Sequence, residues 1–229
     1  MSEKDPLFHN GHRDRLRQKF LDNGLSDAEV LELIIADIIP RRDVRPIARG
    51  LMERFGSLSQ ILATPLDELL TYKGIGKNTA VHIKLVYDIM MRAYKIQLRE
   101  EKVFLNEVAF TNYCKYLVGE KTVEEFHVLY LDGDYRLMSV ELHSRGTINW
   151  SAVYIREIVQ HALTHKSRAI VLLHNHPASG HTFSDDDVMI TQTLINQLEP
   201  LGVYVYDHYL VAQGILYSMR NLHLLDKSK

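Results

Sequence analysis

Through the first hundred residues apolar positions recur at helical spacing, and beyond residue 105 they fall into short β-rich runs separated by turns. Leu25-Ser26-Asp27-Ala28-Glu29 has the form of a helix start, with Ser26 as N-cap, Glu29 at the third helical position, and an apolar stripe at Val30, Leu33, Ile34 and Ala36. Pro40 ends that helix, and Pro46 opens another through Ile47, Leu51, Met52 and Phe55. Thr64-Pro65-Leu66-Asp67 repeats the start pattern with Thr64 as N-cap. The turn Lys73-Gly74-Ile75-Gly76-Lys77 then feeds a long helix through Ala80, Ile83, Val86, Met90 and Met91. The charged stretch Arg99-Glu100-Glu101-Lys102 predicts a linker, which gives a helical domain at 1–98, a linker at 99–105 and a second domain at 106–225.

In the second domain, runs at 126–131 and 135–141 flank Asp132-Gly133-Asp134, a hairpin signal. An amphipathic helix is predicted from Ile155 to Thr164 and a buried strand over Ala169-Ile170-Val171-Leu172-Leu173. A helix beginning at Ser184-Asp185-Asp186-Asp187 and strands at 203–206 and 215–217 complete an α/β reading. Internal repeats and low-complexity tracts are absent from the sequence.

Composition narrows the class. A chain of 229 residues with 46% apolar and 24% charged residues can bury one large core or two modest ones. No stretch approaches the roughly 20 apolar residues of a membrane span, and the start Met1-Ser2-Glu3-Lys4-Asp5-Pro6 is polar, so a cytoplasmic protein without membrane attachment is expected. The single cysteine, Cys114, excludes an internal disulfide and reads as a packing residue. Residues 1–100 carry 16 Lys and Arg against 14 Asp and Glu, and the remainder 11 against 15, so the chain has no polybasic arm but permits a local phosphate-binding patch near the N-terminus.

The strongest chemical signal follows the strand at 169–173: Leu173-His174-Asn175-His176-Pro177, with Ser184 and Asp187 beyond it. Side chains at i and i+2 of a strand share a face, so His174 and His176 can converge at its end, and Asp187 can supply a third ligand to one divalent ion. A structural reading competes. Ser184-x-x-Asp187 at a helix start is also a capping box beside a positive helix dipole. Asp185 and Asp186 are rival ligands, although spacing favours Asp187.

His-x-His followed by ten residues and Asp, with Ser three before the Asp, resembles the signature of the MPN/JAMM metallopeptidases. The wording His-Asn-His-Pro at 174–177, Ser144-Arg145-Gly146-Thr147-Ile148-Asn149 upstream and Tyr206-Asp207-His208 downstream resemble the RadC family in particular, over about Gly11 to Leu222. The resemblance implies an MPN/JAMM domain with a mixed sheet flanked by helices. It also implies one zinc ion on His174, His176 and Asp187, Glu141 as the base that deprotonates water, and Ser184 as a hydrogen-bond donor to the developing oxyanion. Water attack on an amide or isopeptide-like bond of a protein or peptide-like substrate is the expected reaction. One departure stands out: Ala178 separates Pro177 from Ser179-Gly180, which puts the shape of the loop at 177–183 in question while preserving the ligand intervals. His181 and His208 have open roles, as a substrate contact or solvated residue and as ligand support or core.

HNH nucleases and zinc deaminases are excluded, since the former disperse their residues over a ββα element and the latter need a Pro-Cys-x-x-Cys partner. A degenerate scaffold without ligands is disfavoured by the complete residue set. Lys73-Gly74-Ile75-Gly76-Lys77 resembles a helix-hairpin-helix turn, whose glycine amides and lysines can face a DNA phosphate without reading sequence. The alternative function is therefore a repair or recombination accessory protein that binds DNA through Lys73, Gly74, Gly76 and Lys77; a tight helix-helix turn with solvated lysines explains the same residues.

Overall fold

The computed structural model describes residues 7–22, 24–146, 152–177 and 180–225. Its contacts divide the chain into two units, Met1–Met90 and Met91–Lys229. The first unit is helical: α1 (Leu7–Leu21), α2 (Asp27–Ile38), α3 (Arg45–Phe55), α4 (Leu58–Ala63), α5 (Leu66–Leu70) and the start of α6 (Lys77–Glu100). Leu31, Ile35, Leu51, Ile61, Leu69 and Ile83 form its fully buried centre.

Local chemistry explains the helix ends. Glu29 accepts a hydrogen bond from the Ser26 backbone N–H at 2.8 Å, as the capping pattern predicts. The stripe predicted on α2 is displaced, however, because the buried residues are Leu31, Glu32, Ile35 and Ala36 rather than Val30, Leu33 and Ile34. Asp27–Ile38 is apolar almost all round, so periodicity does not single out one face, and packing selects it. Thr64 also differs from its expected role. Its hydroxyl donates to the Gln60 carbonyl and closes α4, and Pro65 occupies the N-cap of α5.

The expected linker at 99–105 belongs instead to the second unit. The helix continues to Glu100, Leu98 and Val103 are fully buried, the Val103 N–H donates to the Tyr135 carbonyl at 3.0 Å, and Phe104 stacks on Tyr206. The charges that suggested a linker sit on exposed positions of an otherwise packed segment.

The second unit is α/β. After α7 (Glu107–Val118) come β1 (Glu125–Leu131), β2 (Leu137–Arg145), α8 (Ala152–Thr164), β3 (Ala169–Asn175), α9 (Asp185–Leu198), β4 (Tyr204–Ala212) and β5 (Ile215–Ser218). The sheet order is β2-β1-β3-β4-β5, with β3 and β4 parallel and the other neighbours antiparallel. Both faces are covered, which is why β1 and β3 are buried along their whole length and read as continuous apolar runs. Leu129, Leu131, Val171 and Leu173 pack with Phe110, Tyr113, Cys114 and Val118 of α7. Phe126, Val128, Tyr130, Ile170 and Leu172 pack with Ile158 and Ala162 of α8 and Ile190 and Leu194 of α9. Strand alternation carries His174 onto that second face, in line with Ile170 and Leu172. Among the described residues, no helix is long and apolar enough to cross a membrane.

Cys114 is fully buried under the sheet, and burial pushes its thiol far above the usual range. A thiol-specific chromogenic reagent should leave the native protein unmodified over a period in which the urea-unfolded chain reacts completely. Rapid reaction of the native protein would contradict the packing assigned to α7.

Candidate metal centre

The end of β3, the start of α9 and the middle of β4 meet at one group of polar side chains beneath an apolar lid. His174 and His208 are completely buried, Asp187 is 2% exposed, and Phe183 places its ring 5.8 Å from that of His174 and 5.3 Å from that of His208. Asp187 is held at the N-terminus of α9, where its carboxylate accepts from the Ser184 backbone N–H at 2.8 Å and from the Ser184 hydroxyl at 2.7 Å. Asp185 and Asp186 are exposed, so burial agrees with the spacing that favoured Asp187.

Hydrogen bonds determine which ring nitrogens carry protons. Thr191 donates its hydroxyl hydrogen to the Asp187 carbonyl, so it accepts from Nδ1–H of His208 at 2.7 Å. Nε2 of His208 is then an acceptor, and it receives Nδ1–H of His174 at 2.8 Å. On the other imidazole, Nδ1–H of His176 donates to the Gly180 carbonyl at 2.9 Å. This close loop uses a glycine, since a Cβ there would stand 3.1 Å from Nδ1 of His176. With both Nδ1 atoms engaged as donors, the Nε2 atoms of His174 and His176 present lone pairs to each other across 3.1 Å.

Asp187 completes the set, with Oδ1 at 3.4 Å from Nε2 of His174 and Oδ2 at 3.8 Å from Nε2 of His176. Ligands at zinc-like distances of about 2.0–2.1 Å in a tetrahedron are separated from each other by about 3.3 Å. The donor set therefore fits a small divalent cation, and the facing lone pairs are repulsive without a positive charge between them. Electrostatics agree. Burial alone would raise the Asp187 pKa, but the neighbouring imidazoles of His174 and His208 and the hydrogen bond from the Ser184 hydroxyl outweigh it and hold the Asp187 carboxyl well below the usual carboxylate range. Burial, reinforced by His174 and then His176, pushes His208 well below the ordinary histidine range and keeps it neutral. Burial also lowers His176, with a further contribution from His174.

A second carboxylate joins these groups, and it is not Glu141. Ligand atoms of Glu124, His174 and His176 all lie within 4.8 Å of one another, as do those of His174, Asp187 and His208. Glu124 immediately precedes β1, and Phe126, two residues on, is the direct cross-strand partner of His174. Burial raises the Glu124 pKa, and the negative charge of Asp187 adds to the shift while His174 opposes it. Asn175, between the two histidines and 1% exposed, ties this segment down. Its Oδ1 accepts from the Glu125 N–H at 2.8 Å, and its Nδ2 donates to the Val123 and Lys121 carbonyls at 3.2 and 3.4 Å. The signal for Glu124 lay in the sequence as a Glu-Glu pair at the mouth of the run Phe126–Leu131, but only the β1–β3 pairing gives it meaning.

Glu141 lies elsewhere on the same face. It pairs with Val128, which pairs with Leu172, so it is two strands across and two residues along from His174, about 12 Å between backbones at ordinary strand spacings. Its carboxylate is engaged by His161 and by His165, the latter at 2.7 Å. The hydroxyl hydrogen of Ser184, expected to face an oxyanion, is committed to Asp187. His208 supports His174, and His181 is exposed, with its ring 6.3 Å from that of Tyr217. Thr147, Ile148, Asn149, Ala178 and Ser179 lie outside the described residues.

In the helical unit, Gly74 adopts φ 104°, which favours glycine, and Ile47 stands 3.1 Å from where its Cβ would be. Gly76 has no neighbour within 4 Å of a Cβ position, and it is exposed together with Lys73 and Lys77 at the start of α6.

A family model described as a RadC-like JAB domain matches residues 104–224, more than half of the chain, and takes in α7, all five strands and every residue of the candidate centre.

Replacing Asn175 by Ala would leave the buried Glu125 N–H without its partner, at a cost of about 1–3 kcal/mol measurable by urea unfolding. The same variant should weaken divalent-metal uptake by loosening His174 and His176, the two residues that flank Asn175, and unchanged stability and uptake would contradict the clamp.

Proposed function

The chain belongs to the RadC-like JAB domain family, and on that premise we propose that it is a zinc-dependent hydrolase acting on an amide or isopeptide-like bond of a protein or peptide-like substrate. The observation that carries this reading is the pair of unprotonated imidazole nitrogens, 3.1 Å apart and flanked by an ionised aspartate. His174, His176 and Asp187 would hold the ion. A zinc ion bound there supplies Lewis acidity, which makes water nucleophilic near neutral pH and polarises a carbonyl.

The remaining work falls to the chain. Glu124, raised by burial, takes the proton of the attacking water and returns it to the leaving amine. This assignment moves the base from Glu141, whose oxygens are occupied by His161 and His165. His208 keeps the Nε2 lone pair of His174 turned inward, and Asn175 fixes the segment that carries Glu124. Ser184 positions Asp187, because its only hydrogen is donated to that carboxylate.

The test compares Glu124→Gln, Glu141→Gln and His176→Ala in zinc content and in hydrolysis of fluorogenic amide and isopeptide substrates. Glu124→Gln is expected to retain zinc while losing activity by roughly 10²–10⁴-fold, the usual worth of a general base. His176→Ala is expected to lose both. A larger activity loss in Glu141→Gln than in Glu124→Gln would return the base to Glu141 and contradict this assignment.

A second reading rests on the exposed Gly76 at the start of α6 between two exposed lysines, a geometry open to phosphate. Here the helical unit binds duplex DNA without sequence preference. Binding should weaken as salt rises and weaken further in Lys73→Ala/Lys77→Ala, with a shallower salt slope. Binding indifferent to salt and to both lysines would sink the idea.

A further inference from the structure

The carboxylate displaced from the first centre has assembled a histidine cluster of its own. Ligand atoms of Glu141, His143 and His161 lie within 4.8 Å of one another. Four observations describe the cluster. Glu141 is engaged on one oxygen by Nδ1 of His161 and on the other by Nε2 of His165 at 2.7 Å. His161 and His165 are four residues apart, at and just beyond the end of α8, and so face the same way. The β1–β2 register slips between Phe126 and His127, so that His143 is the extra residue of a β-bulge, a feature that re-aims a side chain. The Tyr130 hydroxyl holds Nε2 of His143 at 2.9 Å, the kind of outer hydrogen bond that orients a ligating imidazole.

We infer that Glu141, His143 and His161, with His165 as a further donor, form a second metal site that takes a divalent transition ion of the zinc class. Three imidazoles and one carboxylate are nitrogen-rich donors, which suit Zn²⁺, Ni²⁺ or Cu²⁺ rather than Mg²⁺ or Ca²⁺. All the groups are partly exposed, so an ion can enter from solvent. Burial, followed by the charge of His161, pushes His143 down to about 4, so it is a neutral ligand at neutral pH. An ion here would replace the protons that now bridge the imidazoles to Glu141, and uptake would release them.

The site is separate from the first centre. A backbone separation of about 12 Å is far beyond the ~3.5–4 Å between the ions of a two-metal hydrolytic centre. Its consequence is mechanical: the ion would join β2, the edge strand, to α8, the helix that leads into β3 and the first centre.

The experiment is a competition titration of the zinc-free, full-length protein with Zn²⁺ against a chromogenic chelator. It is run on the wild-type chain, His161→Gln, His143→Gln and His176→Ala. The wild-type chain should bind two equivalents. His161→Gln and His143→Gln should each weaken one of them by at least about tenfold, and His176→Ala should weaken the other. The His161 side chain is 43% exposed, so Gln at that position should fold, with circular dichroism as the check. The second site is overturned if His161→Gln binds zinc with wild-type stoichiometry and affinities. Loss confined to the equivalent that depends on His176 would instead speak only to the first centre, so the two proposals fail separately.

Discussion

Two imidazole lone pairs turned toward each other, on Nε2 of His174 and Nε2 of His176, are the constraint around which the second unit is organised. Each is fixed from behind by a hydrogen bond on the opposite ring nitrogen, to His208 for one and to the Gly180 carbonyl for the other. The relay continues from His208 through Thr191 to the Asp187 backbone, so the aspartate that faces the imidazoles also sets their protonation from the far side. Such an arrangement of buried polar groups is costly unless every member is satisfied, and the position that remains is one a cation completes.

The sheet makes that arrangement possible. Covering both faces of β1 and β3 with helices buries the end of β3, where the dielectric is low and a charged ligand set is strongly coupled. Antiparallel pairing of β1 with β3 brings Glu124 to the histidines, whereas β2, one strand further out, carries Glu141 away from them. One residue between the ligands turns to the opposite face, and Asn175 uses that position to bind the segment before β1. The His-Asn-His triplet is thus two facing imidazoles and a clamp between them.

Much of this was legible in the residues. Alternation along a strand was enough to place His174 and His176 on one face, and the interval to Asp187 separated the buried aspartate from its exposed neighbours. The capping pair Ser184 and Asp187 is real, and it is also what holds the Asp187 carboxylate against the imidazoles, so the structural reading does not compete with the proposed one. The proximity of Glu124 was missed because its place depends on strand order, which no local pattern records: Glu124 lies fifty positions before its neighbour His174 in sequence and beside it across a ladder. The same limitation moved the buried face of α2 by one residue and absorbed the supposed linker into the second unit, since packing rather than periodicity decided both.

The most direct test is anomalous diffraction at the zinc absorption edge from crystals of the zinc-loaded, full-length protein. The account predicts a peak about 2.0–2.2 Å from Nε2 of His174, Nε2 of His176 and a carboxylate oxygen of Asp187. Zinc-loaded crystals with no peak between those three groups would contradict it.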